Sequence, residues 1–384
     1  MEYGQERVTT LHDLGNADPP APTGEAAVVV PMTERDYGAT ATERVFTELA
    51  ALDPAQVVVA LRAPAERVGP IHDWLDGFSL PLTTCWCGGP RVTERLAEAG
   101  LDGPGGKGRD LWVGLGAALA TDAPYVVVHD VDAEGFRRRT VRRLLYPLFR
   151  GHEFSKGYYA RVESPAPGEP RQLYGRLNRL FYEPLVEALA DRHDARDHPL
   201  LAYLGAFRYA LAGEFAATRE FAAGLPLDRG WGLEVGVLAS AFEHAGFAGT
   251  AQVDLGTHEH GHRSVSGAGG LASMSADVGG RLLRAVRSHG VEIDHAALRA
   301  RYHETAARYV DAYATDAGFN GLTYDREREK EQVAAYAEAV APPTDAPPRL
   351  PAWRAAPLAP ETVADAAAAD LADVVTVDAG EVSE

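Results

Sequence analysis

The chain has 384 residues, enough for one large domain or two with a substantial core, and carries a formal net charge of -18. That sign argues against binding along a nucleic-acid backbone, which needs basic surface. Lysine occurs only at Lys107, Lys156 and Lys330, so arginine supplies nearly all the positive charge. An acidic, Ala-rich, Lys-poor composition is of the salt-adapted kind, because high salt screens such self-repulsion. Cys85 and Cys87 are too few for a disulfide framework, and as a Cys-x-Cys zinc pair they lack neighbouring partners; they read as inert thiols. The first residues lack the basic and apolar regions of a signal peptide, and no apolar stretch approaches about 18 residues. A soluble cytoplasmic protein is expected.

Residues 1–24 end in a Pro-rich stretch and read as a leader arm. Ala26–Pro31 is a buried first strand, followed by a helix over 39–52. A second strand covers 56–61, a second helix 65–77, a third strand 81–86 and a helix 91–99. A Gly-rich loop spans 102–108 and precedes a helix over 109–119. The apolar run Tyr125–His129 is a strand that ends in Asp130-Val131-Asp132. Arg137 to Phe149 is an Arg-rich helix, read as a solvated face or a basic patch. Further on come a strand near 154–162, helices near 177–190 and 234–245, a strand over 248–255, and surface helices over 272–289 and 296–314. From about Pro342 the Pro-, Ala- and Asp-rich tail is expected to be disordered. Strands alternating with helices through residue 132 predict an α/β fold with a parallel, doubly wound sheet.

In such sheets ligands collect at the carboxyl ends of strands, where the acidic triplet lies. Alternate residues of an extended segment point the same way, so Asp130 and Asp132 can reach one cation together. An acidic turn after a strand is the plain alternative. The glycines around Lys107 let backbone approach a ligand, and a lysine kept in an arginine-using chain hints at a phosphate nearby; a flexible turn explains the glycines equally well. His258, His260 and His262 alternate after a strand and can converge on a metal, or form a solvated polar loop. Two Asp and one His leave open positions that favour Mg²⁺ or Mn²⁺ over Zn²⁺. Glu234 opens a helix after a Gly-rich turn, as a first-turn charge or a functional carboxylate. Gly175-Arg176 before a helix would suit an anion. Together the pieces fit a cation that neutralises the diphosphate of a nucleotide sugar, with an anionic acceptor at Arg176.

The ordered set of blocks resembles the glucosyl-3-phosphoglycerate synthases, retaining glycosyltransferases of the GT-A fold. The blocks are Pro31 with Glu34, Gly106-Lys107-Gly108, Asp130-Val131-Asp132, Gly175-Arg176, Leu211-Ala212-Gly213-Glu214-Phe215, Gly230-Trp231-Gly232-Leu233-Glu234, and Gln252-Val253-Asp254-Leu255-Gly256 with His260. They cover roughly residues 26–265. The resemblance implies transfer of glucose from UDP-glucose to 3-phosphoglycerate, giving a compatible-solute precursor. It implies Mg²⁺ or Mn²⁺ on Asp132 and His260, with Asp130 in support. Pro31, Met32, Thr33, Glu34, Lys107, Asp130, Gly213 and Glu214 would bind the nucleotide sugar. Gly175, Arg176, Asn178 and His262 would bind the acceptor, and Glu234 would orient or activate its hydroxyl. Retention would follow from front-face attack within an ion pair, without a protein nucleophile. The chain departs from the family at Asn178, usually Thr, and at His260-Gly261-His262, usually His-Arg-Asn; both touch the acceptor phosphate site. Trp231 stands where Tyr or Phe is common.

The implied layout is a GT-A catalytic domain over 25–265, with a nucleotide-sugar half (25–135) and an acceptor half (136–265). A helical extension over 266–341 and the tail over 342–384 follow. A homodimer is implied, with the 270–340 helices as packing surface. Two other readings are carried. One keeps the fold but uses GDP-mannose as donor, or glycerate, a lipid phosphate or a glycan as acceptor. The other is a non-catalytic nucleotide-sugar binder.

Overall fold

The computed structural model describes residues 5–164, 169–193, 197–258, 270–343 and 347–381. The strands are β1 (Thr9–Leu11), β2 (Ala26–Thr33), β3 (Gln56–Arg62), β4 (Leu82–Trp86), β5 (Tyr125–Val128), β6 (Phe154–Glu163), β7 (Gln172–Leu173), β8 (Phe215–Thr218) and β9 (Thr250–His258). The helices of the first half are α1 (Thr40–Ala50), α2 (Ala65–Asp76), α3 (Pro90–Glu98), α4 (Lys107–Leu119) and α5 (Arg138–Phe149). Those of the second half are α6 (Glu183–Ala190), α7 (Pro199–Leu204), α8 (Arg219–Ala223), α9 (Leu233–His244), α10 (Leu271–Ser288), α11 (His295–Phe319), α12 (Arg326–Ala337) and α13 (Pro360–Glu381).

The sheet runs β1-β9-β6-β8-β5-β2-β3-β4, with β7 paired to β6. Along that path β8 alone is antiparallel to its neighbours, and the rest run one way. The central strands are apolar throughout because both faces are covered. Val29, Val58 and Val128 face one core, with Leu111 and Leu115 of α4. Val28, Val57 and Val127 face the other, with Phe46 of α1 and Leu144 of α5. A doubly wound, mostly parallel sheet is therefore what the alternation of elements predicted.

Four expectations change. The leader is not a loose arm: Thr9–Leu11 adds a parallel edge strand to β9. The arginines of α5 hold it there. The buried Arg143 donates to Ala17 O at 2.7 Å, to Asp254 O at 3.1 Å and to Asp13 at 2.8 Å, and Arg142 pairs with Asp18 at 2.9 Å. The basic run thus serves an intramolecular contact as well as solvent. Third, between the helices expected near 177–190 and 234–245, where no strand is predicted, Phe215–Thr218 forms the short antiparallel β8, which carries no apolar periodicity of its own.

The tail is the fourth. Residues 360–381 form a helix rather than a disordered segment. Val363, Ala366, Ala367 and Asp370 are buried, a helical stripe of small residues that resembles low complexity in the sequence. Asp370 accepts from the backbone N–H groups of Arg91 and Val92, both at 3.0 Å, and so caps α3 from outside. Upstream, Trp353 stacks on Trp112 at 3.8 Å and donates to Trp112 O at 2.9 Å. Trp353→Ala is expected to lower unfolding free energy by about 3–5 kcal/mol, read as a fall in the denaturant midpoint. Among the described residues no helix is long and apolar enough to cross a membrane.

Candidate active site

The carboxyl ends of β2, β3 and β5 open on a cleft of about 750 Å³. Because β8 is antiparallel, its amino end reaches the same edge, and this brings Leu211 and Gly213 beside Asp130. β6 contributes Tyr159 and Arg161 from its carboxyl end.

At the centre, Lys107 opens α4 and lies 2.9 Å from Asp130 and 3.5 Å from Glu234. Burial alone would lower its pKa, but the charges of Asp130, Glu234 and Glu214 outweigh that and raise it. Lys107 therefore stays an ammonium. Gly213 is required here by close approach. A Cβ on it would lie 2.5 Å from Asp130 Oδ2 and 2.9 Å from Lys107 Nζ. Gly213→Ala is expected to push this pair apart and cut turnover at least about tenfold, with an unchanged melting temperature as the check on folding.

Of the residues predicted for the nucleotide sugar, Pro31, Met32, Thr33, Lys107, Asp130 and Gly213 line the cleft. Glu34 does not: it is exposed, and Asp36 occupies the wall instead. Asp36 accepts from both the backbone N–H and the hydroxyl of Thr33 at 2.8 Å, which turns the chain after β2 and swings Glu34 outward. Glu214 is also not on the wall; it is fully buried behind it. Its charge acts on Lys107 and Lys156.

At the other end, Gly175, Arg176 and Asn178 line the cleft as expected. Gly175 has φ +70°, and a Cβ there would meet the Tyr209 hydroxyl at 2.6 Å. Asn178 begins a π-turn over Asn178–Tyr182. Its amide donates to Glu183 at 2.5 Å and accepts from Leu211 N–H at 3.3 Å. Those bonds fix the Leu211–Gly213 segment, so Asn178 is committed to positioning. Glu234 lines the cleft from the first turn of α9.

Asp132 lines the cleft beside Asp130. His260 and His262 lie outside the described residues. Among the described residues no three His, Cys, Asp or Glu side chains group as a metal site. The donor chemistry nevertheless fits a hard cation. One or two carboxylates plus diphosphate oxygens are how Mg²⁺ is commonly held, and the Asp-x-Asp pair supplies such oxygens.

Several cleft residues were not singled out in the sequence. Arg62 ends β3 and pairs with Asp110 at 2.8 Å; burial pushes Asp110 up to about 6, against the pull of Arg62. Behind the wall rather than on it, Lys156 is 1 % exposed on β6, donates to Ala212 O, and is pushed down by burial to about 8 against the charges of Glu234 and Glu214. Its signal was present, as the second of three lysines, set in the run Phe154–Tyr159. Arg161, Tyr209 and Arg328 also line the cleft, and nothing local marked them, whereas Trp231, which lines it too, stood out in its Gly-Trp-Gly block.

No family model matches the chain. It is 35% identical over 300 residues to the glucosyl-3-phosphoglycerate synthase of Persephonella marina, covering 74% of this chain and 72% of that one. It is 30% identical over 372 residues to the synthase of Methanococcoides burtonii, covering 88% of each. Its structure is similar to that of glucosyl-3-phosphoglycerate synthase from Mycobacterium tuberculosis in complex with Mn²⁺, UDP-glucose and phosphoglyceric acid. That likeness has a TM-score of 0.53 at 23% identity, over 76% of this chain and 90% of that one. A complex of the same enzyme with Mg²⁺ and UDP gives 0.52 at 24% identity, over 75% and 89%.

Proposed function

Because the chain belongs to the glucosyl-3-phosphoglycerate synthase family and has its GT-A fold, we propose that it transfers glucose from UDP-glucose to 3-phosphoglycerate and releases UDP. One observation carries the reading. Asp132, the Lys107–Asp130 pair, Glu234 and Arg176 all face a single cleft, although they come from four separate segments.

The roles follow from charge and place. Pro31 to Thr33, with Asp36, border the nucleotide end. Asp132 would hold Mg²⁺ or Mn²⁺, with His260 joining from beyond the described residues. When bound, that ion neutralises the diphosphate as the anomeric bond breaks. Lys107 adds a fixed positive charge beside the same leaving group. The segment Leu211–Gly213, held by Asn178 and Lys156, borders the sugar. Glu234 orients the acceptor hydroxyl, and Arg176 binds the acceptor's phosphate. The hydroxyl attacks on the face from which the diphosphate leaves, so configuration is retained.

The protein is further proposed to act in the cytoplasm as a homodimer, which sedimentation velocity would test. The reaction is tested by incubating the protein with UDP-glucose, 3-phosphoglycerate and Mg²⁺ in high salt. UDP release is expected. If glycerate supports release and 3-phosphoglycerate does not, the acceptor assignment is overturned; if GDP-mannose replaces UDP-glucose, the donor assignment is.

A further inference from the structure

Three arginines from separate parts of the chain line the acceptor end of the cleft: Arg161 on β6, Arg176 before the π-turn, and Arg328 on α12. Arg161 is paired with Glu163 at 2.9 Å. Among the described residues Arg328 has no carboxylate partner, and in this it differs from its neighbours on α12. Arg326 pairs with Asp311 at 3.6 Å, Glu327 with Lys330 at 2.8 Å, and Glu329 with Arg179 at 3.0 Å. Arg328 also sits in the first turn of its helix, where the helix dipole disfavours a cation. Neither helix stability nor a neighbouring acid accounts for it.

Its position is built with care. The run-in to α12 is tied to β7 by Thr323 N–H, which donates to Arg171 O at 2.9 Å. Glu329, next to Arg328, accepts two bonds from the buried guanidinium of Arg179, at 3.0 and 3.1 Å. Arg179 lies three residues after Arg176 and also donates to Tyr174 O at 2.7 Å. A buried bidentate pair thus locks the segment bearing Arg328 to the segment bearing Arg176.

We propose that Arg328 binds the carboxylate of the acceptor while Arg176 takes its phosphate, and that Arg179–Glu329 is the strut that sets their spacing. This rests on the phosphoglycerate reading above. The acceptor has an anionic group at each end and its reacting hydroxyl between them. Holding one end leaves the hydroxyl free to swing. Holding both aims it at the sugar, which is the orientation effect that a two-point clamp supplies. The planar fork of a guanidinium matches a carboxylate. The helical extension thereby supplies part of the acceptor site and is more than a support.

The test uses the full chain with Arg328→Ala and Arg328→Lys, both exposed substitutions that leave the core intact. The KM for 3-phosphoglycerate is expected to rise about 10- to 100-fold in Arg328→Ala, kcat to fall by about tenfold as the hydroxyl loses its aim, and the KM for UDP-glucose to stay unchanged. Arg328→Lys should recover part of the loss. Glycerate, which keeps the carboxylate and lacks the phosphate, should compete less well against Arg328→Ala than against the unsubstituted protein. Inorganic phosphate should compete equally with both. A KM for 3-phosphoglycerate within twofold of normal overturns the proposal, as does an equal rise for UDP-glucose. Calorimetric titration of 3-phosphoglycerate in the presence of UDP and Mn²⁺ separates the two levels of failure. No binding to the unsubstituted protein sinks the acceptor reading itself; undiminished binding to Arg328→Ala sinks only the role of Arg328.

Discussion

Asp132→Ala is expected to lower UDP release by about three orders of magnitude while the protein stays folded. A divalent ion on a departing phosphoryl oxygen contributes several kcal/mol, and each ~1.4 kcal/mol is tenfold in rate. The two carboxylates of the Asp-x-Asp pair are not equivalent. Asp130 is engaged by Lys107 at 2.9 Å through both oxygens, so part of its negative charge is already balanced. The carboxylate assigned to the ion is Asp132, one residue on and on the same wall. Asp130→Asn should therefore cost less, because it weakens the Lys107 pair and keeps the Asp132 oxygens. The measurement is Mn²⁺ affinity by calorimetry with UDP present, alongside turnover. Asp132→Ala should lose both together. A variant with normal Mn²⁺ affinity and near-normal turnover would remove Asp132 from the metal role.

What the sequence disclosed follows from burial. Val28 to Val30, Val57 to Val59 and Val126 to Val128 are covered on both faces, so the central strands stand out as unbroken apolar runs. The acidic triplet stood out for the same reason, as charge at the end of such a run. The residues that escaped notice depend on long-range pairing. Phe215–Thr218 is a strand only because β5 and β6 flank it. Glu34 was taken for the wall because the tight turn that Asp36 makes with Thr33 has no apolar signature. The alanines of α13 gain meaning only where Asp370 meets the amino end of α3. Arg328 is hidden among equally charged neighbours, and only the pairing of those neighbours sets it apart.

Lys156→Met should lower kcat by about 100-fold, the scale of a roughly 1 Å misplacement at a reacting centre. Lys156 is buried, donates to Ala212 O, and shares the charges of Glu214 and Glu234 with Lys107. Removing it releases the backbone between Leu211 and Gly213 and leaves Lys107 to balance the carboxylates alone. The pH dependence gives a sharper test. Burial pushes Lys156 down to about 8, whereas an unfolded lysine titrates near ~10.4. Below pH 8 both states hold the proton, and the cost of burying the charge is fully present. Between about 8 and 10.4 the unfolded chain binds more protons, so the Lys156 contribution to stability becomes more favourable as pH rises. Turnover should move the other way, since the ammonium opposite Glu214 and Glu234 is lost through the same window. Lys107 cannot produce that limb, because its pKa is raised. The unsubstituted protein should therefore lose activity above about pH 8 without losing structure by circular dichroism, and Lys156→Met should show a flat profile there. If Lys156→Met retains the alkaline limb, the limb belongs to another group and the buried lysine is only a packing element.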